Sequence, residues 1–242
     1  EMGLRLQGYQ RGARRKRAVR NNSKSFTIAL AGNPNTGKTT VFNALTGLKQ
    51  HTGNWPGKTV IQVKGYYEFN HKRYTVVDLP GTYSLFANSE EEQLARDFIC
   101  FSNPDATVVV ADAGCLERNL NLVLQVMEIT DRVVICVNLL DEAKRKKIVI
   151  DLPKLSRELG VPVVGTAARS GRGLHDLKQT LDSLLQEEIL VKPKLPVYDN
   201  DIEEQIEALI PKIVKNYGRE INPRWLALRL LEGDDSIFSC MK

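Results

Sequence analysis

The sequence predicts an α/β fold: a mostly parallel six-stranded sheet with helices on both faces, followed by a C-terminal all-helical domain. Three observations carry the prediction. Short continuous apolar runs alternate with segments whose apolar residues recur at helical spacing, the pattern of repeated β-α-β units with buried strands. The first run, 26–31, feeds Gly32-Asn33-Pro34-Asn35-Thr36-Gly37-Lys38-Thr39, which fits the phosphate-loop template G-x-x-x-x-G-K-[ST] and is followed by helical spacing over 40–45. Beyond Pro193 and Pro196 only helical periodicity remains.

In chain order, strand 26–31 is followed by a loop whose glycines let the backbone curl with its N–H groups pointing inward. The helix that follows adds free donors and the positive end of its dipole. Residues 48–58, rich in Gly, Asn, Thr and Pro, predict a long loop. Segments 59–69 and 73–77 predict a hairpin turning at Asn70-His71, so one edge strand is antiparallel. A helix over 89–101 has Asn88 or Ser89 as its cap and acids in its first turn. Strands 106–112, 132–137 and 161–164 then alternate with helices 116–129, 154–159 and 173–187. Helical spacing returns at 202–214 and 225–231. The predicted division is a flexible basic arm at 1–24, a nucleotide-binding domain at 25–190 and a helical domain at 191–242.

Composition limits the function classes. Of 242 residues, 42% are hydrophobic and 26% charged, enough for a globular core. Apolar runs such as 106–111 fall far short of a bilayer span, so this fragment is expected to be soluble, as itself or as part of a longer membrane protein. The net charge of +5 is concentrated in the arm, where Arg5, Arg11, Arg14, Arg15, Lys16, Arg17, Arg20 and Lys24 face one acid, Glu1. Such a block could bind nucleic acid or an anionic membrane; a leader or the remnant of a neighbouring domain is the preferred reading. Cys100, Cys115, Cys136 and Cys240 show no C-x-x-C spacing, and the three histidines do not cluster, so zinc is not expected. Cys136 reads as a small core residue, and the cysteine usage suits the cytoplasm.

The phosphate loop alone implies a nucleoside triphosphate. Lys38 would reach the β- and γ-phosphates, and the Thr39 hydroxyl would hold magnesium. Asp78 lies at a strand end, where it can hold magnesium through water, and the Gly81 N–H can sense the γ-phosphate. Thr59 could supply a second hydroxyl to the metal, or be a β-branched strand residue. Asn138-Leu139-Leu140-Asp141 follows a predicted strand at the edge where open α/β sheets bind ligands. The Asp141 carboxylate can accept from both N1–H and N2–H of guanine, a donor pair that adenine lacks. Asn138 would brace the loop and meet the base edge. The backbone of Thr166-Ala167-Ala168, after the next strand, could contact the guanine oxygen.

GNPNTGKT, DLPG, NLLD and TAA stand in the order of the guanine-nucleotide-binding motifs, which implies a Ras-like G domain of the P-loop NTPase fold. The loop His51-Thr52-Gly53-Asn54-Trp55-Pro56-Gly57-Lys58-Thr59-Val60 closely resembles the first switch of the bacterial ferrous iron transporter family FeoB. So do Asp78-Leu79-Pro80-Gly81-Thr82-Tyr83-Ser84-Leu85 and the helical segment from Arg224 to Asp234. The resemblance covers Phe26 to the end. It implies a cytosolic G domain with a helical domain that favours bound GDP, at the cytoplasmic face of the bacterial inner membrane, joined covalently to a membrane-spanning iron-permeation domain. It also implies GTP or GDP and Mg2+ as ligands, bordered by Thr40, by Gly57, Lys58, Thr59, Val60 and Ile61, and by Leu79, Pro80, Leu139 and Leu140. Leu139 replaces the usual G-protein lysine, which predicts moderate guanine affinity, and Lys58 and Ile61 depart from the pattern expected at the end of the first switch. A homo-oligomer is left open, and nucleic acid is not an expected partner.

Thr82 stands where many small G proteins place a water-orienting glutamine and is too short for that reach. Asn35 offers another source of catalysis: by resemblance to the potassium-activated G proteins, it would help bind K+ beside the phosphates, with carbonyls around Gly53 and Trp55 completing the site. Its alternative is a turn residue chosen for its backbone preference. Asn35, Lys38, Thr59 and Gly81 are the expected catalytic set, and turnover is expected to be slow. A potassium-dependent GTPase of RNA or ribosome assembly shares the loop asparagine and stands as the alternative function. A binding-only regulatory module without useful hydrolysis is a third.

Overall fold

The computed structural model describes residues 25–47, 50–56, 58–86, 88–218, 220–234 and 236–237. The expected arm at 1–24, residues 48 and 49 of the expected long loop, Gly57, and the chain from 238, including Cys240, lie outside the described residues. The strands are β1 (Ser25–Gly32), β2 (Gln50–Asn54), β3 (Ile61–Phe69), β4 (Lys72–Asp78), β5 (Ala106–Asp112), β6 (Val133–Asn138) and β7 (Val163–Gly165). The helices are α1 (Lys38–Thr46), α2 (Glu90–Phe101), α3 (Leu116–Ile129), α4 (Leu140–Arg145), α5 (Leu152–Leu159), α6 (Leu174–Leu185), α7 (Asn200–Tyr217) and α8 (Pro223–Leu231).

One sheet runs in the order β2-β3-β4-β1-β5-β6-β7. From β4 to β7 the pairing is parallel, and the β3–β4 hairpin is antiparallel. The sheet thus has seven strands where the sequence predicts six. The addition is β2, inside the expected long loop, pairing antiparallel with β3 from Gln50↔Gly65 to Asn54↔Ile61. All five β2 residues are exposed, so backbone pairing to a free edge makes this strand, with no buried face to mark it in the sequence. β3 correspondingly starts at Ile61, leaving Thr59 in the bend before it. The six-residue α4 is too short to show a helical period.

β5 and β6 are buried along almost their whole length, as parallel central strands must be. One face packs Val41, Phe42 and Leu45 of α1 and Leu177, Leu181 and Leu184 of α6. The other packs Leu94, Phe98 and Ile99 of α2 and Leu122, Val126 and Met127 of α3, with Ile206, Ile213, Trp225 and Leu226 of α7 and α8 continuing that core. The C-terminal helices are also tied by polar contacts. Tyr198 Oη donates to Glu128 Oε1 at 2.5 Å, Asn222 Nδ2 donates to the Glu128 carbonyl at 3.0 Å, and Arg224 grips Glu203 through two bonds of 2.6 and 2.7 Å. Fully buried Arg96 of α2 donates to Asp234 at 3.2 Å and Ser236 at 2.8 Å, after α8. Ser89 caps α2, accepting from the Glu92 N–H at 3.2 Å. Among the described residues no helix is long and apolar enough to cross a membrane.

Asp182 of α6 pins the β3–β4 hairpin to that helix. It accepts from Asn70 Nδ2 at 2.7 Å, Lys72 Nζ at 2.5 Å and Tyr74 Oη at 2.6 Å. Burial pushes its carboxyl up, but the bonds from Lys72, Tyr74 and Asn70 prevail and hold it below the usual carboxylate range. Asp182→Ala is expected to lower unfolding free energy by about 2–4 kcal/mol, read by urea denaturation at pH 7. Because the folded carboxyl titrates below the unfolded one, the wild-type advantage over the variant is full above about pH 4 and disappears on further acidification.

Candidate functional site

Every candidate motif leaves the sheet at one edge. β1, β4, β5, β6 and β7 run parallel, so their carboxyl ends share that edge, and the register aligns Leu30 with Asp78, Asp112 with Asn138, and Val137 with Gly165. Chain order reverses across β1, the position where open sheets of this kind leave a crevice for ligands.

The phosphate loop joins β1 to α1. Asn35 (φ 67°) and Gly37 (φ 77°) both take left-handed backbone, which curls the loop, and the Thr36 hydroxyl donates to the Asn33 carbonyl at 2.9 Å. A Cβ on Gly37 would stand 2.5 Å from Asn138 Nδ2, so the position admits only glycine. Lys38 opens α1, with Thr39 and Thr40 exposed in its first turn beside the N–H groups that no helical carbonyl takes.

Lys38 Nζ ion-pairs with Asp78 at the end of β4 and donates to the Leu79 carbonyl at 2.6 Å. Burial pushes the Asp78 carboxyl above its usual range, with Lys38 pulling the other way. Gly81 packs on the loop, its Cβ direction 3.6 Å from Pro34 atoms, and the Thr82 N–H donates to the Gly32 carbonyl at 3.3 Å. Thr82 is buried, with its hydroxyl committed to the Ser84 carbonyl at 2.7 Å, so it does not present a group to a water.

Asn138, fully buried at the end of β6, joins the two halves of the site. Its Nδ2 donates to the Thr36 carbonyl at 3.0 Å, and its Oδ1 accepts from Thr166 Oγ1 at 3.0 Å and the Ala168 N–H at 3.1 Å. Asn138 is therefore a brace, with its carbonyl oxygen already saturated; contact with a base edge is left to its remaining amide hydrogen. Leu139 (φ 63°) takes the turn into α4, its Cδ2 within 3.7 Å of the Gly37 Cβ direction, and Asp141 is exposed in the first turn of α4. The N–H groups of Thr166, Ala167 and Ala168 donate to Val137, Arg172 and Asn138, so a guanine oxygen would have to share one of them.

The structure thus brings together the phosphate loop, Asp78 to Gly81, Asn138 to Asp141 and 166–168. The first switch is arranged differently. Gly53 pairs with Gln62 at the sheet edge, and the Trp55 carbonyl accepts from the Lys58 N–H at 2.9 Å. Trp55 is buried edge-on against Phe98 at 5.5 Å, Lys58 pairs with Glu90 at 3.5 Å, and Ile61 is exposed. Val60 packs against the core, and Thr59 is exposed, with no hydrogen bond to Thr39 or Asp78 among the described residues. In this conformation the expected ligands at Thr59, Gly53 and Trp55 are not gathered with those on the phosphate loop.

Sequence reasoning overlooked the end of β5 and the start of α3. Asp112, Cys115, Arg118 and Asn119 line a cavity of about 150 Å³ with Asn33, Pro34, Asn35, Thr36 and Tyr83. Their position after a strand that ends at the common edge was the available signal. The donor set fits a magnesium nucleotide: a glycine-curled loop, a lysine already neutralised by the carboxylate that a magnesium ion would draw away, and hydroxyls at the helix start.

Comparison with known proteins places these motifs in a family. Residues 26–181 match the family model described as "Ferrous iron transport protein B", and 198–242 match "FeoB cytosolic helical domain". The Fe(2+) transporter FeoB of Escherichia coli (strain K12) is 39% identical over 215 residues, 87% of this chain and 27% of that protein. The Fe(2+) transport protein A/Fe(2+) transporter FeoB fusion protein of Porphyromonas gingivalis is 39% identical over 220 residues, 89% of this chain and 26% of that protein. The chain thus spans about a quarter of the length of these relatives. Among solved structures, the cytosolic domain of the T. maritima FeoB iron transporter in a GDP form superposes with a TM-score of 0.83 at 36% identity, covering 89% of this chain and 85% of that one. Its GMPPNP form gives 0.82 at 37% identity, covering 88% and 84%.

The brace sets a prediction free of any ligand. Asn138→Ala strands a buried Thr36 carbonyl and two donors, and is expected to lower unfolding free energy by about 2–3 kcal/mol in nucleotide-free protein, read by thermal or urea denaturation.

Proposed function

The chain belongs to the ferrous iron transport protein B family, FeoB, and on that footing we propose that it is a GTP-binding, slowly GTP-hydrolysing switch that regulates ferrous iron transport by the membrane part of a longer protein. The observation that carries this is the Asn138 clamp, which couples a phosphate-binding loop to the segments suited to a guanine base. The relatives' GDP and GMPPNP forms support the choice of nucleotide. The division that goes with it is a G domain at 25–190 and a helical domain at 191–242.

In this reading Lys38 releases Asp78 and moves onto the β- and γ-phosphates. Thr39 and Asp78, joined by Thr59 when the first switch closes, are the residues that would hold Mg2+, which neutralises phosphate charge. The Gly81 N–H senses the γ-phosphate, and Asp141 accepts from guanine N1–H and N2–H. Asn35, with carbonyls of Gly53 and Trp55 once β2 has rearranged, would hold K+, whose charge offsets that developing between the β- and γ-phosphates. Closure must extract Trp55 from its contact with Phe98, so nucleotide state and the position of α2 are linked through that ring. Buried Arg96 extends the same helix to the segment after α8, a route toward the rest of the protein.

Calorimetry with magnesium is expected to show GTP and GDP bound at least about 100-fold more tightly than ATP, with Asp141→Ala erasing that preference. ATP held as tightly as GTP would overturn the guanine assignment. Phosphate release is expected to be at least about tenfold faster in potassium than in sodium, and Asn35→Ala is expected to remove the difference while leaving GDP affinity within about threefold.

A further inference from the structure

We propose that Arg118 is a catalytic residue for GTP hydrolysis, reaching the γ-phosphate from the cavity that flanks the phosphate loop. The proposal rests on the GTPase reading above and adds to it a cation supplied by the chain itself, from the helix after β5.

Placement is the first argument. Pro34 and Asn35 of the phosphate loop line the same cavity as Arg118. Pro34 is also the residue against which Gly81 packs, at 3.6 Å. The cavity therefore adjoins the point where the loop meets the glycine that senses the γ-phosphate, and an arginine side chain is long enough to cross it.

The state of the side chain is the second. Arg118 lies in the first turn of α3, where the helix dipole disfavours a cation. Among the described residues it makes no ion pair; its contact is with the Tyr83 ring, the guanidinium carbon 4.5 Å from the centroid. The carboxylate that shares the cavity, Asp112, is engaged elsewhere, accepting from the Gly114 N–H at 2.6 Å and the Cys115 thiol at 3.4 Å. A cation placed against its helix dipole and left without an acid is available to an anion. The Tyr83 ring is a weaker partner for the guanidinium than a charged phosphate would be, so the contact can be exchanged when one is bound.

The surroundings are the third. Tyr83 stands two residues after Gly81, so the ring under Arg118 belongs to the segment that moves when the γ-phosphate is sensed. Thr82, between them, has its hydroxyl tied to Ser84 and offers nothing to the reaction. Asn33 is 3% exposed and lines the cavity, yet its Oδ1 and Nδ2 have no hydrogen-bond partner. Such a chamber is built for polar occupants and has room for several waters.

In the reaction, the oxygen of water bonds to the γ-phosphorus. The bond from that phosphorus to the bridging oxygen breaks, and its electron pair stays on GDP. The protons of water pass to the released phosphate and solvent. Arg118 keeps its own proton throughout and acts by charge and hydrogen bonding on the γ-phosphate oxygens.

The test compares wild type with Arg118→Gln, Arg118→Ala and Arg118→Lys in single-turnover hydrolysis at saturating GTP, magnesium and potassium. GDP affinity and trapping of GDP with aluminium fluoride are measured alongside. Arg118 is exposed, so the near-isosteric Arg118→Gln removes charge with little disturbance of packing. The expected result is a fall of about 100-fold in the hydrolysis rate for Gln and Ala, partial recovery in Lys, loss of aluminium fluoride trapping, and GDP affinity within about threefold of wild type. A rate for Arg118→Gln within about twofold of wild type overturns the proposal alone, as does a rate loss matched by an equal loss of GTP affinity. A wild-type chain that neither binds nor turns over GTP overturns the GTPase reading and this proposal together.

Discussion

The site depends on one buried amide. Asn138 has no access to solvent, so each of its three bonds must be made inside the protein, and together they fix two stretches of backbone far apart in the chain. Through Thr36 it sets the curl of the phosphate loop; through Thr166 and Ala168 it sets the segment after β7. The close approach of Gly37 to the same amide shows how little slack the arrangement has. A Cys136 thiol 3.2 Å from the Thr166 hydroxyl lies behind it, and burial pushes that thiol up to about 12, so it stays neutral. The brace is therefore backed by uncharged packing that does not change over the physiological pH range.

Charge is handled differently in front of the brace. Lys38 and Asp78 neutralise each other in a partly buried place, where either one alone would be costly. The pair keeps a cradle shaped for phosphate and metal from carrying unbalanced charge. Burial acts more strongly on Asp78 than the pull of Lys38, and the carboxyl is held high. A phosphate and a divalent cation arriving together exchange one neutral pair for two, without leaving either side chain unpaired.

The two segments proposed as switches are held by contacts that lead away from the cradle. The first is drawn out along the sheet edge by β2 and anchored through Trp55 on Phe98; the indole nitrogen, buried without a partner, marks that anchorage as less than fully satisfied. The second runs into α2, whose first-turn Glu92 accepts from Ser84 Oγ at 2.8 Å and the Asn88 N–H at 2.9 Å. α2 carries both Phe98 and Arg96, so one helix receives the first switch at one contact and holds the end of the helical region at another. α3 offers a parallel connection, with Arg118 at its start beside the phosphate loop and Glu128 at its end bound by Tyr198 and Asn222.

By itself the sequence determined whatever rests on local chemistry. Gly32 to Thr39 spells a curled phosphate loop because Asn35 and Gly37 suit left-handed backbone and a lysine and a hydroxyl suit a phosphate and its metal. The apolar runs at 106–112 and 132–137 spell central parallel strands because both of their faces are covered. The family was legible in the same way, from side chains at fixed spacing. Tertiary structure decided the rest. β2 has no buried face to give it a period, so only the free edge of β3 makes it a strand and draws the first switch outward. Thr59, Gly53 and Trp55 are close in sequence to a metal-binding role, but where they stand depends on that edge. Asn138 became a brace, and Arg118 a neighbour of the phosphate loop, through the register of strands far apart in the chain. Such long-range pairing leaves no mark in the local pattern of residues.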